Sequence, residues 1–116
     1  MSCLFHSMSH FLQLDSNIIR QQICDYLQNN NTIIDGITTN SILEMEGNNY
    51  VDKMRGQSTW GGAIEIQAAC NIWMLKIVVH NNRDNPHTII EFLPVNNNIT
   101  RTIELEWTGG HYEPCK

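Results

Sequence analysis

Apolar residues in the first 28 positions return at helical spacing. Leu4, Phe5, Met8, Phe11 and Leu12 form one stripe and predict an amphipathic helix over 3–14. Ile18, Ile19, Ile23, Tyr26 and Leu27 form a second, predicting a helix over 17–28 that Asp15 or Ser16 caps and the asparagine run NNNT (29–32) stops. Residues 29–40 read as loop, and SILEMEGNNYVDKMR (41–55) as one or two short helical pieces broken at Gly47. Ile64, Ala68, Cys70, Ile72 and Trp73 predict a helix over 62–73, opened by Gly61–Gly62 with Glu65 in its first turns. The period then changes to two. LKIVVHN (75–81) and HTIIEFLP (87–94) are β-branched runs. RTIELEW (101–107) alternates, with Ile103, Leu105 and Trp107 on one face and Thr102, Glu104 and Glu106 on the other. A last extended piece begins at His111. Helices first and strands last predict an α+β fold: a small, mainly antiparallel sheet (75–79, 88–93, 102–107 and the strand from His111) packed between helices, rather than alternating βαβ units.

With 116 residues the chain reads as one domain, 1–116. Its net charge is −5 with no basic cluster, which argues against nucleic acid and anionic membrane surfaces as partners. No apolar run approaches the roughly 20 residues of a membrane span. The expectation is a cytoplasmic monomer. Cys3, Cys24, Cys70 and Cys115 form no CxxC pair and no secretory leader precedes them, so they are expected as free thiols in a reducing compartment. Cys24 and Cys70 fall in apolar stripes and are expected in the core.

Cys3 is different, because it stands at the mouth of the first helix. There the macrodipole and unpaired N–H groups favour thiolate, the nucleophilic form, while a small buried hydrophobe is the other reading of the fragment taken alone. Cys3, His6 and His10 share a helix face, and C-x2-H-x3-H could hold zinc. Three ligands on one helix with no fourth make a poor site, however, and no metal is expected. His80 and His87 flank an Asn-rich turn and are expected to be solvated. His111 follows Gly109–Gly110, which permit close approach of another chain, and it opens an extended segment at a sheet edge. A thiolate at a helix start with an imidazole from a strand is the arrangement of a cysteine hydrolase. Glu113, two residues on, projects to the same side as His111 and can orient the ring.

CLFHS, WGGAIEIQAA and GGHYEP, in this order and at these separations, resemble the ovarian-tumour (OTU) domain cysteine proteases, which are papain-like deubiquitinases. Their pattern reads D-G-x-C-L-F, then W-G-G-x-x-E-[ILV]-x-A, then H-[YF]-[DNE]. The resemblance covers about residues 3–114 and extends to the YVDKM helix and the IVV strand. It implies a papain-like fold and hydrolysis of the isopeptide bond after the C-terminal glycine of ubiquitin or a ubiquitin-like protein, with no metal or organic cofactor. Cys3 matches the nucleophile and His111 the general base. Glu113 falls where the family usually has Asp or Asn. Trp60, Gly61, Gly62 and Glu65 match the middle, structural block. Ser2, Trp107, Gly109, Gly110 and Tyr112 line up with the substrate channel. Ubiquitin's tail is basic, so acidic walls are expected, with Glu104, Glu106 and Glu113 as candidates; for Glu104 and Glu106 solvated strand charge is the first expectation.

The chain departs from the pattern at its start. Met1 holds the family's Gly position and the Asp position has no counterpart, so the loop that supplies oxyanion N–H groups reads as truncated. Loss of one such donor costs about 10²–10³ in rate. An Asp-Gly pair encoded just upstream of Met1 is the other reading. The alternatives for function are an OTU-like module that binds ubiquitin without cutting it and a different papain-like cysteine hydrolase. So compact an Asn- and Ile-rich form resembles those of large DNA viruses and protists. A viral source would place it in the host cytoplasm.

Overall fold

The structure of the chain, a computed structural model, describes residues 3–29, 32–34, 36–46, 49–56, 61–81, 88–108 and 111–115; of Cys3, Met45 and Glu46 it describes the backbone alone. Helix α1 (Cys3–Leu12) ends two residues before the apolar stripe suggests, because Gln13 takes a left-handed φ of 57°. Leu4, Phe5 and Met8 are buried, while His6 and His10 face solvent. Helix α2 (Ser16–Gln28) is capped by Asp15, whose carboxylate accepts from the Asn17 N–H at 2.8 Å. It buries Ile19, Ile23, Cys24 and Leu27, and also Arg20.

The described residues of 29–40 are more regular than the loop expected there. They hold an antiparallel ribbon of β1 (Thr32–Ile34) and β2 (Ile37–Thr38), and the first residues of α3 (Thr39–Glu46). Strands of three and two residues carry too few alternations for a period to show in the sequence. Helix α4 (Tyr50–Met54) follows; the break expected at Gly47 lies outside the described residues. Helix α5 (Ala63–Trp73) starts after Gly62 and stops where Met74 turns left-handed at φ 56°.

The last third is a four-stranded sheet of β3 (Leu75–Asn81), β4 (Thr88–Phe92), β5 (Arg101–Trp107) and β6 (Tyr112–Pro114), in the order β4-β3-β5-β6. β3–β4 and β5–β6 pair antiparallel, as expected. The central pair corrects a wholly antiparallel reading. β3 and β5 run parallel, from Leu75↔Arg101 to Asn81↔Trp107. β4 returns the chain to the level where β3 began. Residues 93–100 then cross that end of the sheet, and β5 starts beside the start of β3. The Thr100 N–H donates to the Met74 carbonyl at 2.8 Å and fixes the crossing. Alternation in RTIELEW tells which face is buried, and Ile103 and Leu105 are buried, but it is silent on the direction of the neighbour.

The first turn of α1 is held by two unusual contacts. A methyl group on Gly61 would lie 2.7 Å from Leu4 Cδ2 and 3.0 Å from Phe5 Cζ, so the segment before α5 rests directly on that turn. The Arg20 guanidinium carbon lies 4.2 Å from the Phe5 ring centroid, and its Nη1 donates to the Met54 carbonyl at 2.6 Å. Arg20 is 1% exposed, and burial lowers its pKa against a smaller opposing effect of Cys24 and Glu65. Glu65, also 1% exposed, accepts from the Gly62 N–H at 2.7 Å and from the Tyr50 hydroxyl at 2.6 Å. The first is half of a capping box, and it fixes the start of α5. Buried charges with hydrogen-bond partners thus join α1, α2, α4 and α5.

Gly61→Ala should lower unfolding free energy by about 1–3 kcal/mol, because Leu4 and Phe5 are already packed. Gly62→Ala is the control: its added methyl meets nothing nearer than Glu65 Oε1 at 4.0 Å. Urea unfolding of both variants should show the larger loss at Gly61. Equal midpoints would contradict the close approach.

Candidate active site

Two hydrogen bonds orient α1 against the sheet. Near the helix's C-terminal end, Arg101 Nη1 donates to the Phe11 carbonyl at 2.6 Å, which ties it to the start of β5. At its middle, Ser7 Oγ donates to the Tyr112 carbonyl at 3.1 Å. Tyr112 pairs with Trp107, at the other end of β5. The helix therefore runs with its N-terminus, and Cys3, toward the end of the sheet where His111 stands. Gly61 meets the same end of the helix through Leu4 and Phe5. The Cys3 side chain, Ser2, Trp60, Gly109 and Gly110 lie outside the described residues, and with them the sulfur-to-imidazole contact of about 4 Å or less expected of a resting cysteine–histidine pair.

His111 and Glu113 are each about half exposed, and His111 Nε2 lies 3.7 Å from Glu113 Oε1. That is an ion-pair distance for the protonated ring and too long for a hydrogen bond. The Thr108 N–H donates to the His111 carbonyl at 3.0 Å, which fixes the backbone at the ring. Tyr112 and Trp107 turn to the opposite face. There, with Ala63, Ile66, Val79, Asn81, Ile90 and Phe92, they line a groove of about 190 Å³ that is almost wholly apolar. On the face of His111 and Glu113 the sheet is acidic: Glu106 stands directly opposite Glu113. His80 departs from the solvated state expected of it. Its side chain is 22% exposed and Nε2 lies 2.8 Å from Glu104 Oε1. His87 lies outside the described residues.

The other thiols are poorly suited to nucleophilic work. Cys24 and Cys70 are buried, as their stripes imply, and burial pushes their pKa values up to about 11 and about 12. Cys115 is raised too, by burial and then by Glu106 and Glu104. Among the described residues no three His, Cys, Asp or Glu side chains gather around a metal-sized space, and no helix is long and apolar enough to cross a membrane.

Pattern reading passed over Ser7 and Arg20. Each is a polar residue inside an apolar stripe, Ser7 among Leu4, Phe5 and Met8 and Arg20 between Ile19 and Ile23. That is the signal that could have found them, since a polar side chain on a buried face needs a partner.

A family model described as OTU-like cysteine protease matches residues 2–112. The ubiquitin thioesterase otu2 of Schizosaccharomyces pombe is 30% identical over 105 residues, which cover 76% of this chain and 34% of that protein. The chain thus spans about a third of this relative's length. The OTU domain of OTUD1 superposes with a TM-score of 0.74 at 15% identity, covering 97% of this chain and 77% of that one. An OTU domain solved in complex with ubiquitin gives 0.76 at 24% identity, covering 97% and 62%. These two likenesses show a shared fold. Motifs, topology and the family match agree, and the chain belongs to the OTU-like cysteine proteases.

Proposed function

We propose that this chain is a cysteine-type deubiquitinase that cleaves the isopeptide bond after ubiquitin's C-terminal glycine, in a reducing, cytoplasmic setting. The observation that carries the reading is the orientation of α1: its start and the His111–Glu113 pair share one end of the sheet, beside an apolar groove. The similarity to a ubiquitin thioesterase and to an OTU domain bound to ubiquitin supports the substrate. Cys3 thiolate attacks the glycine carbonyl carbon and forms a tetrahedral adduct. The C–N bond to the substrate lysine then breaks as the His111 imidazolium protonates the departing amine, leaving a thioester on Cys3. Water attacks the thioester, His111 accepts its proton, and thiolate leaves. With Nε2 toward Glu113, the other ring nitrogen, Nδ1, is the one available to the thiol. Glu113 and the acidic face beside it suit a basic tail.

Hydrolysis of a fluorogenic amide at the C-terminus of ubiquitin tests this. Wild type should turn it over, and Cys3→Ser should abolish turnover with an unchanged circular dichroism spectrum. A folded wild type that binds ubiquitin without cleaving the amide would overturn the assignment in favour of a binding module.

Glu113 gives a graded test. At saturating substrate, Glu113→Gln should lose about 10-fold and Glu113→Ala about 10²-fold in rate, the scale seen when a group supporting an imidazole is removed. Equal rates in all three proteins would show that Glu113 does not orient the ring.

A further inference from the structure

We infer that Ser7 is a positioning residue that holds the nucleophile's helix against the strand of the general base. The inference rests on the roles of Cys3 and His111 above. Hydrogen bonds from the Thr108 N–H to the His111 carbonyl (3.0 Å) and from the Cys115 N–H to the Glu104 carbonyl (2.9 Å) mark the paired positions of the β5–β6 ladder. The antiparallel pattern alternates, so Tyr112 lies at a non-hydrogen-bonded pair with Trp107, and its carbonyl points off the sheet. Among the described residues β6 is an edge strand, with no further strand beside it. The Ser7 hydroxyl, on a residue 2% exposed, takes that place at 3.1 Å. Ser7 lies one turn after Cys3 on the same helix face, about 6 Å along the axis. Tyr112 is the residue after His111. One side-chain hydrogen bond therefore links neighbours of the nucleophile and of the base across 105 positions of sequence. The Arg101 tether acts at the far end of α1, at Phe11, about 12 Å along the axis from Cys3.

The decisive pair is Ser7→Thr and Ser7→Val, near-isosteres of which only threonine keeps the donor. Ser7→Val, and Ser7→Ala beside it, should lower kcat on ubiquitin amide by about 10-fold with KM unchanged, as loss of a supporting hydrogen bond does elsewhere. Ser7→Thr should stay within about threefold of wild type, by the same comparison. The pH dependence of Cys3 alkylation by iodoacetamide, read by mass spectrometry, needs no substrate. It should shift upward in Ser7→Val and Ser7→Ala toward the ordinary thiol value of about 8.5. Arg101→Met, which cuts the distant tether, should lower the melting temperature and leave that pH profile in place. Equal kcat and equal profiles for the Thr and Val variants would overturn the inference. A wild type with a depressed, Ser7-dependent Cys3 profile but no ubiquitin turnover would instead overturn the assigned substrate and leave the positioning role standing.

Discussion

Gly61 has no side chain, and the start of α1 depends on that. The segment before α5 can lie on Leu4 and Phe5 only because a methyl group at Gly61 would sit 2.7 Å from Leu4 Cδ2. Phe5 in turn lies against the Arg20 guanidinium, a buried cation that also donates to the Met54 carbonyl. Glu65 lies close enough to stabilise that cation and spends its own oxygens on Gly62 and Tyr50. The middle sequence block thus works by holding the helix that carries Cys3, from beneath, with its polar groups satisfied. A catalytic contact is sensitive to misplacement of about 1 Å, so with Cys3 as the proposed nucleophile such support bears on rate as well as stability.

The sheet supplies the other half. Its parallel central pair sends β5 toward the same end as β3, and the hairpin to β6 then presents His111 at that end. Three tethers bring α1 to meet it: Gly61 at the first turn, Ser7 at the middle and Arg101 near the last. Each ties α1 to a residue from the second half of the chain. The site is therefore as stable as the long-range packing, and local helix propensity has little say in it. The short strand β6 has α1 beside it, which blunts an otherwise open sheet edge next to His111.

Much of this was legible in the sequence, for identifiable reasons. Apolar stripes placed α1, α2 and α5 to within two residues, because each helix buries one face and periodicity reports faces. Cys24 and Cys70 read as core for the same reason. The extended runs located β3, β4 and β5. Strand direction was not legible, since alternation is the same for either sense of a neighbour. The β1–β2 ribbon was too short to show a period. His80 read as solvated because its partner, Glu104, lies 24 positions away and only the parallel pairing brings them together. At the site, the i, i+2 spacing of His111 and Glu113 put both on one face, and they lie within ion-pair distance. Ser7 escaped because its partner is a backbone carbonyl 105 residues on, and no side-chain pattern encodes one.

Four thiols in a small domain make the assignment of the nucleophile directly checkable. Burial raises the pKa values of Cys24 and Cys70, and burial, followed by the carboxylates of Glu106 and Glu104, raises that of Cys115, which leaves the proposed nucleophile, Cys3, as the thiol to test. Incubation with ubiquitin bearing a C-terminal vinyl electrophile, followed by peptide mass mapping, reads that position out. A single thioether on Cys3, formed in the wild type and lost in His111→Ala, is the expected result. An adduct on any other cysteine, or equal labelling of Cys3 with and without His111, would contradict a nucleophile at the start of α1 served by a base from β6.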